Sequence, residues 1–148
     1  MMPMRPFVRR SMLTAALFLS TLAMCGHAVA QSFPFDQVLV LDAQRMGQVK
    51  RVPVLTIGAD GRTTVDLWCQ TVPALFEVNG AEIRIQTAPL PEALPLYMSS
   101  GQCSPERIQA DAELLGQLNQ ATEWQRQGDR VLLSAPGTAP LRFRLSSH

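Results

Sequence analysis

The segment centred on Asn79-Gly80 constrains the fold more than any other part of the sequence. Asn-Gly between alternating apolar residues is the strongest short-range signal of a β-hairpin, because a type I′ turn needs positive φ at both central residues. With Asn79 and Gly80 as a two-residue loop, apolar side chains fall on one face and polar side chains on the other. The apolar face pairs Val78 with Ala81, Phe76 with Ile83 and Ala74 with Ile85, and the polar face carries Glu77, Glu82, Arg84 and Gln86.

Short apolar runs predict further strands on both sides of this hairpin. Between the predicted strands over residues 52–57 and 63–69 we expect a loop of three residues, which pairs Leu55 with Leu67 and Ile57 with Val65. The predicted strands span residues 38–41, 52–57, 63–69, 122–127 and 130–134, and a last one alternates Leu141, Phe143 and Leu145 with Arg142 and Arg144.

One amphipathic helix is predicted over residues 105–120. Ser104 can cap its N-terminus, Pro105 suits the first helical position, and Glu106 favours the positive end of the helix dipole. The expected buried stripe at helical spacing consists of Ile108, Ala112, Leu115, Leu118 and Thr122.

Together these elements predict a mainly β (α+β) domain. Sequential hairpins favour a small antiparallel up-and-down barrel or curled sheet, with the helix covering an open end or face. A β-sandwich is the alternative.

The first 30 residues have the pattern of a secretory signal peptide. Three arginines precede an apolar stretch over residues 11–24, and Ala28-Val29-Ala30 supplies small residues before a cleavage site at Gln31. We therefore expect a single mature domain over residues 31–148 in the periplasm or outside the cell. The alternative is a lipoprotein, with a lipid attached to Cys25.

Two cysteines follow the leader, Cys69 and Cys103. An even number of cysteines in an oxidising compartment predicts one disulfide. The alternative is a reactive or metal-binding pair of thiols, although the chain has no C-x-x-C spacing.

Charge and histidine content narrow the classes of function. Without the leader, ten Lys and Arg oppose twelve Asp and Glu, and no basic run is present, so nucleic acid and anionic membranes are poor partners. The chain after the leader has no second long apolar run, so we predict no transmembrane span. The only histidines are His27, in the leader, and the terminal His148, so we predict no catalytic residue, metal or cofactor. A pair of carboxylates for glycoside chemistry is the enzymatic alternative.

Aromatic residues and one long loop provide the candidate binding surface. Trp68, Phe76 and Trp124 could line a ligand pocket, or they could belong to the core. Tyr97 and Met98 lie in the proline-containing loop over residues 87–103, which could present a surface to a partner or cover the sheet as a strap.

The order of these motifs resembles the META (HslJ-like) domain of bacterial envelope proteins. Cys69 corresponds to the cysteine of the family's Gly-Cys-Asn segment, although Trp68 and Gln70 flank it here. The resemblance continues through a hairpin over residues 76–85, the helix entry Cys103-Ser104-Pro105, and the hairpin segment Gly128-Asp129-Arg130-Val131-Leu132.

This resemblance implies a small barrel-like domain in the cell envelope, with no established reaction and a role in envelope stress or maintenance. We therefore expect a non-enzymatic domain whose partner is an envelope protein. The alternative is a binding module that carries a small apolar ligand or inhibits a secreted hydrolase.

Overall fold

A computed structural model describes residues 31–44, 46, 51–92 and 103–146 of the chain. The predicted signal peptide with Cys25, and the loop residues Tyr97 and Met98, lie outside the described residues.

Eight antiparallel strands form a closed barrel, with one helix between the fifth and sixth strands. Each strand pairs with its neighbour in sequence, and the last strand closes the barrel by pairing with the first. The up-and-down barrel is therefore confirmed, and the chain does not form a sandwich. In chain order the elements are β1 Gln37–Leu41, β2 Val54–Ile57, β3 Arg62–Asp66, β4 Thr71–Asn79, β5 Glu82–Thr87, α1 Pro105–Gln120, β6 Glu123–Gln127, β7 Arg130–Ser134 and β8 Leu141–Leu145.

The core lies inside the barrel. Alternate residues of the strands point inward, as the two-residue period of a strand requires, and α1 adds apolar side chains to the same cluster. Fully buried members include Leu39, Leu55, Val65, Val72, Phe76, Leu118, Val131, Leu133 and Phe143.

α1 packs where β5 and β6 separate. These two strands share only one residue pair, Glu82 with Glu123. Near the end of α1, the Asn119 Oδ1 accepts a hydrogen bond from the N–H of Thr87 at 3.0 Å, and its Nδ2 donates one to the Thr87 Oγ1 at 2.8 Å. The helix therefore satisfies one backbone N–H of β5, that of Thr87, which β6 does not reach.

The β4–β5 hairpin forms as predicted, but its register differs by two residues. Phe76 lies opposite Ile85, and Val78 lies opposite Ile83, so the two-residue loop is Gly80-Ala81. Only Gly80 in this loop has a positive φ, +62°, which is the requirement of a type II′ turn. A shift of two residues keeps every side chain on its predicted face.

The β2–β3 hairpin also differs from its predicted register by two residues. Leu55 pairs with Val65, and Ile57 pairs with Thr63. The Gly58 N–H donates to the Arg62 carbonyl, which leaves a loop of three residues, the length expected.

The third strand is shorter than predicted. It ends at Asp66, because residues 67–70 form a tight turn in which the Leu67 N–H donates to the Gln70 carbonyl at 2.7 Å. Cys69 therefore lies in a turn and not in a strand.

The helix has the predicted bounds, and Ser104 caps it by accepting a hydrogen bond from the Arg107 N–H at 3.4 Å. Its buried face differs from the expected stripe. Ala112 is exposed, as is Thr122 beyond the helix end, whereas Asp111 and Leu114 are buried. Positions i+3 and i+4 both suit a helical stripe, so spacing alone did not select between neighbours.

Candidate functional site at the β3–β4 turn

The turn between β3 and β4 is linked covalently to the start of α1. Cys69 in the turn forms a disulfide with Cys103, and their Cα atoms are 5.6 Å apart. Cys103 is followed directly by the helix cap Ser104, so the bond fixes the helix N-terminus against this end of the barrel. The pairing predicted from the cysteine count is present.

A buried carboxylate binds the backbone of the same turn. Asp111, two turns into α1, has 1% of its surface exposed. Its Oδ1 accepts a hydrogen bond from the Trp68 N–H at 2.9 Å, and its Oδ2 accepts one from the Cys69 N–H at 3.0 Å. Each oxygen therefore satisfies a donor that would otherwise be unpaired at the helix–turn contact.

Burial raises the pKa of Asp111 above its ordinary value, because removal from water disfavours the charged form. The backbone N–H groups of Trp68, Cys69 and Gln70 act in the opposite direction, as does the positive charge of Arg51, but they offset the effect of burial only in part. Burial therefore decides the direction of the shift in the pKa of Asp111, and the hydrogen bonds from the turn reduce its size.

Sequence reasoning missed Asp111. A signal for it was present, since Asp111 is three residues after Ile108 and four before Leu115, which places it inside the apolar stripe. A lone acid in such a stripe needs hydrogen-bond donors from another element, and here the turn supplies them.

The turn presents two further polar groups. The Trp68 Nε1 and the Gln70 Oε1 are buried, and neither has a hydrogen-bond partner among the residues that the structure describes. Their residues are only half-buried as a whole. One donor and one acceptor are thus left unsatisfied in this turn, at a cost of about 1–3 kcal/mol for each group.

Trp124, the other predicted aromatic of the binding surface, lies at the opposite end of the barrel. Its ring packs edge-on against Phe33 with centroids 5.0 Å apart, and its Nε1 donates to the Gly80 carbonyl at 2.7 Å. Because β4 runs from the turn that contains Trp68 to the turn that contains Gly80, the structure does not bring the two tryptophans together. Ligand binding by Trp68, Tyr97, Met98 or Trp124 stays a prediction.

A groove of about 410 Å³ lies between α1 and the chain at and just after the end of β5. Small residues keep it open, since a Cβ placed on Gly116 would meet no atom within 4 Å. Its lining residues are Thr87, Ala88, Pro89, Leu90, Ala112, Leu115, Gly116 and Asn119.

Neither a metal-binding cluster nor a membrane-spanning helix is found among the described residues. No three His, Cys, Asp or Glu side chains in this part of the chain come together in a way that could hold a metal ion. Over the same residues, no helix combines the length and apolar character needed to cross a membrane.

A sequence model of the META domain matches residues 28–148. The chain belongs to the META domain family. The resemblance seen in the motifs is thus confirmed, and the family supports a bacterial envelope-type domain. No curated protein matches the sequence of this META domain.

Two solved structures are similar to this META domain. One is a DUF4847 family protein from Bacteroides vulgatus, with 19% identity and a TM-score of 0.48, where the match covers 62% of this chain and 57% of the other. The second is described only as an NMR structure of a protein, with 12% identity and a TM-score of 0.54 over 74% of this chain and 89% of that one. At these identities the second structure supports the fold alone.

Proposed function

We propose that this META domain works outside the cytoplasm as a non-enzymatic domain in envelope stress or maintenance, and that it acts by binding another envelope component. The observation that carries the proposal is the double link at the β3–β4 turn, where the Cys69–Cys103 disulfide and the Asp111 carboxylate hold the same backbone. Disulfides persist in oxidising compartments such as the periplasm, and they suit a small domain that has only a modest core.

The arrangement of the core favours binding over catalysis. Apolar side chains from all eight strands and α1 fill the barrel interior, so function falls to the outer surface and the turns. Among the described residues, Asp111 is the only buried acid, and both of its oxygens are engaged by the backbone N–H groups of Trp68 and Cys69. A carboxylate held in this way serves structure and not proton transfer.

A deletion strain of the source bacterium tests this proposal. The strain would be challenged with detergent and with EDTA, and then complemented either with the full chain or with residues 31–148 preceded only by a start codon. We expect the full chain to restore growth and the leaderless chain to fail, at equal protein levels. Restoration by the leaderless chain would place the function in the cytoplasm and contradict the proposal.

The groove beside α1 favours a second candidate function, the carriage of a small apolar ligand. Leu90 and Leu115 provide apolar walls, and the open space at Gly116 would admit a ligand of a few carbon atoms. A Gly116→Leu variant would fill this space, and Gln117→Leu, on the exposed face of the same helix, is the matched control.

Native mass spectrometry of protein from the periplasm distinguishes the two functions. A carrier retains a small molecule that Gly116→Leu loses and Gln117→Leu keeps. If neither the wild-type protein nor Gln117→Leu carries a small molecule, the carrier hypothesis is wrong. The hydrolase-inhibitor alternative depends on the loop over residues 87–103, most of which lies outside the described residues, and it stays a prediction.

A further inference from the structure

Three arginines gather on the outer face of β7 and β8. Arg130 of β7 lies directly opposite Arg144 of β8, and Arg142 is two residues away on the same face of β8. Side chains directly opposite in an antiparallel pair have Cβ atoms only about 5 Å apart. The sequence separates these residues by up to 14 positions, so the cluster exists only in the folded barrel.

Among the described residues one acid lies beside this cluster, Asp42, whose backbone N–H donates to the Arg142 carbonyl at 2.8 Å, and the three arginines outnumber it. No ion pair forms there at Arg130 or Arg142, and the Arg144 Nε reaches the Asp42 Oδ1 only at 3.9 Å, with both side chains exposed. Like charges directly opposite each other destabilise a sheet. The Arg130–Arg144 pair therefore costs stability that a neutral residue would avoid.

Apolar side chains continue the same face across the barrel. Val40 of β1 lies opposite Arg144, and Val54 of β2 lies opposite Val40, with both valines half-buried. The row ends at Asp66, whose Oδ1 is held by Arg51 at 3.3 Å and by the Thr71 hydroxyl at 2.6 Å. The surface is thus basic on one side and aliphatic on the other.

We propose that this arginine face, formed by Arg130, Arg142, Arg144, Val40 and Val54, binds an extended acidic segment of a partner protein. β7, β8 and β1 are each paired on both sides, so a partner strand has no free edge to extend and must be recognised by side chains. Arginine is the residue best suited to this, because its planar guanidinium binds a carboxylate through two hydrogen bonds.

The spacing of the arginines matches an extended chain. Arg142 and Arg144 are two residues apart in a strand, about 7 Å, which is also the distance between alternate side chains of an extended peptide. Acidic residues at alternate positions could therefore contact both arginines. The excess of two acidic residues in the chain after residue 30 opposes approach to a whole anionic membrane, whereas a short segment meets only this face.

Peptide binding tests the proposal directly. The purified protein, as its host processes it, would be titrated with a fluorescein-labelled ten-residue peptide of alternating glutamate and threonine, and binding followed by anisotropy. A peptide with glutamine in place of glutamate is the control ligand. We expect saturable binding of the glutamate peptide that weakens as salt is raised, and no binding of the glutamine peptide.

Two substitutions with the same change of charge locate the binding surface. Arg142→Glu should raise the Kd at least tenfold, whereas Arg62→Glu, at an 86% exposed side chain on β3, should leave it within twofold. Arg130→Glu separates binding from folding, because it converts a repulsive cross-strand pair into an attractive one. It should weaken binding while it raises Tm.

Four results would overturn the proposal: no binding of the glutamate peptide, equal binding of both peptides, wild-type affinity in Arg142→Glu, or binding only to vesicles that contain phosphatidylglycerol. The proposal rests on the proposed function for the expectation that the partner is an envelope protein. The failures are distinguishable, because peptide binding is measured in vitro and leaderless complementation in the cell. If the glutamate peptide does not bind but complementation is normal, the arginine-face proposal is wrong and the proposed function is unaffected.

Discussion

Asp111 accepts a hydrogen bond from the backbone N–H of Cys69 at 3.0 Å, and the sulfur of that same cysteine is bonded to Cys103 at the start of the helix that carries Asp111. The turn is therefore held at two points, by Cys103 just before α1 and by Asp111 within it, eight residues further along the chain. Both links position the side chains at this end of the barrel, Trp68 among them.

Substitution of Asp111 by asparagine should destabilise the protein. The amide oxygen can accept from one backbone N–H, but the amide NH2 would face the other, which leaves a buried donor unpaired at a cost of about 1–3 kcal/mol. Chemical denaturation measures this difference. Glu113→Gln, at an exposed position in the same helix, should stay within about 0.5 kcal/mol of wild type. Equal effects of the two substitutions would mean that the Asp111 hydrogen bonds do not stabilise the turn.

The contribution of Asp111 to stability should depend on pH with a definite sign. Because burial raises its pKa in the folded state, the native protein binds the proton more tightly than the unfolded chain does. The stabilisation is fully present below the unfolded value, near 3.8, and is lost as pH rises through the folded pKa. The free energy of unfolding of wild type relative to Asp111→Asn should therefore increase as pH falls from 7 towards 4. A decrease over this range would show that the turn lowers the pKa of Asp111.

Neighbouring residues of β4 should respond very differently to alanine. Phe76 is 2% exposed and points into the barrel, so Phe76→Ala should cost about 3–5 kcal/mol. Glu77 lies on the outer face, opposite Arg84, and Glu77→Ala should change stability by no more than about 0.5 kcal/mol. Thermal or urea unfolding of the two variants compares the faces. The reverse order of sensitivity would mean that Glu77 points into the barrel and Phe76 points outward, opposite to the structure.

Two glycines with positive φ should differ in their tolerance of alanine. Gly80, with φ of +62°, is in open space, so Gly80→Ala should cost only the strain of the left-handed conformation, about 1 kcal/mol. Gly61, with φ of +80°, lies against the backbone of Phe76, and a Cβ there would overlap the Phe76 carbonyl oxygen. Gly61→Ala should therefore cost about 1–3 kcal/mol more than Gly80→Ala. Similar Tm values for the two variants would contradict this close approach.

The sequence predicted which side chains share a face better than it predicted which residues pair. Period-two alternation correctly assigned Phe76, Ile83 and Ile85 to the core and Val78, which is half-buried, to the same face, because a register error of two residues preserves the face. The pairing itself depends on the turn. Asn79-Gly80 suits a type I′ loop locally, but of these two residues only Gly80 has a positive φ, so the loop begins one residue later.

The candidate site was harder to predict because it is assembled from distant segments. The disulfide was predicted from the count of two cysteines after the predicted signal peptide, which indicates an oxidising compartment. The role of Asp111 depends on the approach of residues 68 and 69, which are more than 40 positions away, and no local pattern encodes that approach. The arginine face likewise requires the pairing of β7 with β8.

Native mass spectrometry of the protein in separated periplasmic and cytoplasmic fractions tests the central claim most directly, because the spectra report secretion, oxidation and binding together. We predict a chain that begins at Gln31, has the mass expected for an oxidised Cys69–Cys103 pair, and is recovered in part as a complex with another envelope component. The contradictory result is a protein confined to the cytoplasm, with the mass of all 148 residues, two free thiols at these positions and no bound component.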